Sequence, residues 1–272
     1  KTVWPLSLDD PSSNFVGSET LEDPDYLDFV LQLQSEGFEI TWHSPAMESS
    51  PRPRILEGLE RFKSLIGHYP SIHLSHAVNR ENPYWGIDRV DSPLLRAALR
   101  SGVLPPDYYQ GHVEGSDYWW GDLALQHIEY GRNLTFDTLN LAAVNPSMPY
   151  HDPRRPLIRR WFSASDAEDA DAFADLLKSS NQDVLEAEGG FCIVATHFGK
   201  RFTSDGEVDP RVRRALEELA GRPGWFPTTG ELLDWLLEQH GTDELPAPEW
   251  TRMQRRFLLD GVIRRVSRML GR

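Results

Sequence analysis

Ionisable side chains recur at the ends of short apolar runs in this 272-residue sequence. Asp9 and Asp10 follow the run 3–8, His43 follows 38–42, His76 follows 71–75, Ser163, Ser165 and Asp166 follow 157–162, and His197 follows 191–196. Adjacent aspartates repel one another, and the pair becomes comfortable when one binds a cation and the other takes a proton from bound water. The competing use is to cap the turn through Pro11, Ser12, Ser13 and Asn14. A histidine behind an apolar strand can ligate a metal or pass a proton, or it can be purely structural. His73 and Ser75 alternate with Leu74 and His76, so the two histidines point to opposite sides and either can face a site.

Such residues work together only if the strands that carry them end on one face. The apolar runs alternate with segments of helical spacing: 25–35 closed by Gly37, 55–66 closed by Gly67, 172–177, 230–239 and a weaker one at 122–130. That alternation predicts βα units around a mostly parallel sheet, in which the C-terminal strand ends converge. Residues 139–155, punctuated by Pro146, Pro149 and Pro153, read as a long loop of the kind that lines sites.

Composition narrows the function. A formal net charge of -14 argues against a general nucleic-acid binder, since phosphate recognition is driven by clustered cations. Cys192 is the only cysteine, which excludes an internal disulfide framework and a cysteine metal cluster. No apolar run approaches the roughly 20 residues that span a bilayer. The expected location is cytoplasmic or membrane-peripheral, with a removed signal peptide as the alternative. Residues 251–272 hold seven arginines against Asp260. Wound as a helix, they gather Leu258, Leu259, Val262, Ile263, Val266, Met269 and Leu270 on one face and Arg264, Arg265, Arg268 and Arg272 on the other. This basic amphipathic helix is expected either to pack on the body of residues 1–250 or to lie on an anionic membrane.

The order of motifs resembles the polysaccharide deacetylase superfamily. Leu6-Ser7-Leu8-Asp9-Asp10 is similar to its first motif, Gly37-Phe38-Glu39-Ile40-Thr41-Trp42-His43-Ser44 to its second, and residues 191–197 to its late strand. Trp225-Phe226-Pro227 with Glu231-Leu232-Leu233-Asp234-Trp235-Leu236 is similar to its closing strand and helix. The resemblance implies a distorted (β/α) barrel of about seven mostly parallel strands. It also implies a metal-dependent hydrolase that removes acetyl groups from a glycan or sugar-linked intermediate, as in a bacterial cell envelope. Asp9 would be the base, Asp10 and His43 metal ligands, and His197 the catalytic acid.

Three departures qualify that reading. Pro11-Ser12-Ser13 replaces the usual glycine and proline after the second aspartate. Met47 stands where the family has its second histidine, and a thioether is a poor partner for zinc or similar ions. The arginine-proline-proline loop is replaced by residues 73–86, which offer His76 as the missing ligand and Arg80 with Asn79 to grip substrate or orient Asp9. A rebuilt site would use Asp10, His43 and His76 for the metal, Asp9, His197 and Arg80 in catalysis, and Asn79, Tyr84, Trp85, Trp161 and Asp166 toward a sugar. Two alternatives stand beside it: a catalytically silent barrel that binds glycan or a partner, and a metal-free hydrolase using Asp9 and Asp166 as a carboxylate pair.

Overall fold

A computed structural model describes residues 1–8, 18–100, 105 and 107–269, with side chains up to residue 264. In chain order it contains β1 (Thr2–Val3), α1 (Pro24–Ser35), β2 (Thr41–Trp42), α2 (Arg52–Ile66), β3 (Ile72–His73), α3 (Pro93–Arg100), α4 (Gly121–His127), β4 (Tyr130–Phe136) and β5 (Arg160–Ala167). There follow α5 (Ala170–Leu176), α6 (Ser179–Glu188), β6 (Val194–Thr196), β7 (Thr203–Ser204), β8 (Glu207–Val208), α7 (Pro210–Ala220), α8 (Thr229–His240) and α9 (Ala247–Met269). The class is α/β. The main sheet has the order β1-β2-β3-β4-β5-β6, so six strands stand where about seven were expected. β7 and β8 form a separate antiparallel pair.

The chain divides into two compact units, residues 1–133 with 149–162 and 228–244, and residues 134–148 with 163–227 and 245–272. In the first, β1 to β4 are parallel neighbours, registered Val3 to Trp42, Trp42 to His73 and His73 to Gly131. Parallel pairing makes the segments that leave β1, β2 and β3 emerge at one end. Helix α2 shows why this sequence crosses over as it does. It buries Ile55, Leu59, Phe62 and Ile66 at helical spacing, and Gly67, at φ 94°, closes it with its N–H on the Lys63 carbonyl. Gly58 admits the loop after β2: a Cβ there would lie 2.9 Å from Pro45 Cβ. α8 opens with a capping box, in which the Thr228 hydroxyl accepts from the Glu231 N–H while Glu231 accepts from the Thr228 N–H.

In the second unit β5 pairs parallel with β6, Asp166 opposite Ala195. Phe173, Leu176, Leu177, Phe202, Val212 and Ala215 form its core. β5 continues through Ser163, Ser165 and Asp166 rather than ending before them. Residues 139–155 are irregular apart from a short 3-10 turn at Leu141–Ala143 and single bridges at Tyr150 and His151.

Helix α9 is present, but three of the four described side chains on its expected apolar face are exposed, and only Leu258 is half-buried. Leu259, Val262 and Ile263 are 58%, 51% and 57% exposed, while Trp250, Met253, Gln254 and Asp260 are buried. The cause is polar. Asp260 accepts the Asp137 N–H at 3.0 Å and the Arg256 guanidinium at 2.7 Å, and Arg264 reaches Asp137 and Asp166 at 2.7 Å each. Among the described residues no helix is long and apolar enough to cross a membrane.

Candidate functional site

Trp4, His43 and His76 leave the ends of β1, β2 and β3 and meet. The His43 and His76 rings are 5.4 Å apart, edge to face, and Trp4 lies 5.1 Å from the first and 5.9 Å from the second. The His43 N–H donates to the Val3 carbonyl, extending the ladder by one residue beyond the strand. Its Nδ1 lies 2.6 Å from the Leu74 carbonyl, an acceptor only, so Nδ1 carries the proton and Nε2 the lone pair. Burial holds its pKa well below the ordinary histidine range, and the charges of His76, Arg132 and His73 push the same way. The neutral imidazole, which is the form that ligates metals, is therefore favoured.

The alternation in β3 is resolved by packing. His73 is buried edge-on against Trp120 at 5.2 Å, with Ser75 Oγ 3.3 Å from its Nε2. Burial depresses it to about 3, assisted by Arg132. His76 is the histidine that turns toward His43. Its Nδ1 is 2.8 Å from Asn79 Oδ1. The orientation of that amide is dictated by its other end, because Asn79 Nδ2 is within reach of three acceptors: Glu81 Oε1 at 2.7 Å, the Glu48 carbonyl at 3.0 Å and the Ala46 carbonyl at 3.1 Å.

The loop that carries His76 is braced along its backbone. Tyr109 donates to the Ala77 carbonyl, Tyr108 to that of Val78, the Gln110 N–H to that of Arg80 and the Trp120 indole to that of Glu81. Asn82 donates to the His76 carbonyl. Gly111 is required by the closeness of the packing, since a Cβ there would fall 1.8 Å from the Glu81 carbonyl oxygen. The Glu81 carboxyl is buried and accepts the Ser50 N–H at 3.0 Å besides the Asn79 amide. Burial pushes it up to about 7 against the pull of those donors. Ser44, directly after His43, adopts φ 137°, a strained conformation of the kind that collects at functional sites.

The remaining residues singled out from the sequence fall in varied places. Asp9 and Asp10 lie outside the described residues. Met47 accepts a hydrogen bond from Ser18 at 2.8 Å through its sulfur. The Arg80 guanidinium lies over the rings of Tyr118 and Tyr108, at 4.5 and 5.6 Å. Trp85 is half-buried under the Arg89 guanidinium. Asn79, Tyr84 and Trp161 are buried, with Tyr84 and Trp161 packed edge to face. In the second unit, Asp166 pairs with Arg264, and His197 is an exposed ring whose Nδ1 lies 3.2 Å from the Glu168 carbonyl.

Sequence reasoning missed Glu81 and the contact between Asn79 and His76. The usable signal was an asparagine three residues beyond a histidine, close enough for a side-chain contact within one loop, followed by a carboxylate in a segment otherwise bound for the interior.

Among the described residues no group of three or more His, Cys, Asp and Glu side chains is placed to hold a metal ion. His43 and His76 bring two imidazoles to one place, 5.4 Å apart. No family model, curated protein or solved structure matches the chain.

Proposed function

We propose that the chain is a divalent-metal-dependent hydrolase that removes acetyl groups from a glycan or sugar-linked intermediate, with zinc or a similar ion held by His43 and His76. The observation that carries the reading is the pair of imidazoles beyond adjacent parallel strands, 5.4 Å apart, with Nδ1 2.6 Å from the Leu74 carbonyl oxygen in His43 and 2.8 Å from Asn79 Oδ1 in His76. Metal-ligating histidines commonly use their other ring nitrogen in this manner. The distorted (β/α)-barrel form, Asp10 as the carboxylate ligand and Asp9 as the proton acceptor belong to the same proposal and come from the motif resemblance.

A divalent ion bound there would polarise a carbonyl and lower the pKa of a bound water. The protein's own part is to hold His43 neutral, to orient both rings and to wall the site with Trp4, whose indole contacts both. Trp85, Tyr108 and Tyr118 offer aromatic surface for a sugar face, and Arg80 stacks on two of these rings.

Elemental analysis and zinc titration of the full chain provide the test. The expected result is about one ion per chain, lost in His43→Ala and in His76→Ala. Acetate release from N-acetylated sugar oligomers should then depend on the added ion. A wild-type chain that takes up no zinc, cobalt or manganese overturns the proposal. Glycan binding by that metal-free chain would favour the silent-barrel alternative.

A further inference from the structure

We infer that Asn79, oriented by the buried Glu81 carboxyl, fixes the tautomer of His76 and so decides which ring nitrogen this chain presents at the candidate site. The inference rests on the metal-site reading for its purpose, but its geometry stands independently. Asn79 is fully buried, and its Nδ2 can only donate toward the acceptors of Glu81, Glu48 and Ala46. A flipped amide would set its carbonyl oxygen against three other oxygens, so Oδ1 must face His76. An oxygen at 2.8 Å accepts only from a protonated Nδ1, which leaves the lone pair on Nε2.

Glu81 acts one step further out. It takes the shortest of the three Nδ2 contacts, and its second oxygen holds the Ser50 N–H, so one carboxyl ties the loop after β2 to the loop after β3. The His43 tautomer is set differently, by a main-chain carbonyl that no side-chain replacement removes. Asn79 and Glu81 are thus positioning residues for one imidazole of the pair.

Two-bond 1H–15N correlation spectra of the full, uniformly 15N-labelled chain at about pH 8, where an ordinary histidine is neutral, read the tautomer directly. The His76 signals are identified by their loss in His76→Gln. The expected wild-type pattern is Nδ1 protonated and Nε2 unprotonated. In Asn79→Ala and in Glu81→Leu the ratio of the two tautomers should fall by about tenfold, the effect of losing one good hydrogen bond. A wild-type His76 protonated at Nε2 overturns the inference, as does an unchanged ratio in a folded Asn79→Ala chain. Should neither variant fold, the wild-type tautomer decides alone. Zinc added to the wild type tests the metal reading separately. If the Nε2 signals of His43 and His76 do not move, the metal site fails while the tautomer assignment stands.

Discussion

His76 and His197 both follow short parallel strands and both meet a carbonyl-type oxygen through Nδ1, yet their surroundings differ in every other respect. Around His76 the loop carbonyls are taken up by Tyr108, Tyr109 and Trp120, the amide that bonds the ring is itself bonded, and a buried carboxyl lies behind it. Around His197 the ring is exposed, Phe198 is exposed, and the neighbouring Glu168 carboxylate is met at the surface by Lys200. Buried hydrogen bonds and packing fix the surroundings of one ring, and solvent surrounds the other. The same sequence pattern produced both.

The largest expected effect separates the two histidines by function. His76→Ala should abolish zinc uptake and turnover together. His197→Ala, made on the expectation that this imidazole is the proton donor, should leave uptake and folding intact and lower turnover by about 10²-fold or more. Equal turnover in His197→Ala and wild type would remove the acid role, and lost zinc uptake in that variant would show that the two histidines serve one purpose.

Glycines test the packing side of the contrast. Gly111→Ala forces a methyl into the Glu81 carbonyl and should cost about 3 kcal/mol or more in urea denaturation. Gly199, two residues beyond His197, has nothing within 4 Å of an added Cβ.

The buried carboxyl gives the comparison a pH signature. Glu81 is raised from 4.5 to about 7 in the folded chain, so the native state binds its proton more tightly than the unfolded state does. Its contribution to stability is complete below about pH 4.5 and is lost as pH rises through about 7. Relative to Glu81→Gln, which does not titrate, wild-type stability should fall by about 3 kcal/mol between pH 4 and 8. A difference that stays flat across that range would mean that the carboxyl is better solvated than its burial implies. The smallest effect is expected at the other histidine: Gly199→Ala should change stability by less than about 1 kcal/mol.

The places of β2 and β3 could be read in the sequence because each apolar run gives way to a histidine soon after it leaves the sheet, whereas β1 covers only Thr2–Val3, and Trp4, not an ionisable residue, follows it. β4 could not. Its segment carries Arg132 and Asn133, and Gly131 has lost its side chain to make room, since a Cβ there would lie 2.8 Å from Ile158 and 3.1 Å from Trp161. His43 and His76 were found as ionisable residues in apolar company. Asn79 is legible as a candidate to grip substrate or orient Asp9, but its burial is not, because an asparagine in a loop is ordinarily solvated and nothing in its neighbours announces three buried acceptors. Phe38, placed in the second strand by its hydrophobicity, is exposed, and only Thr41 and Trp42 pair.

Helix α9 carries a practical consequence. Its inner side is held by buried Trp250 and Met253, by bonds accepted by Asp260 and by those Arg264 donates, so the exposed aliphatic side chains at 259, 262 and 263 can be exchanged without touching those contacts. A cysteine introduced at any of them, modified with a spin label or a polarity-sensitive dye, becomes a reporter on that helix. Contact with anionic vesicles would slow the label at 259, 262 and 263 together, whereas a helix that merely frays would free 263 before 259.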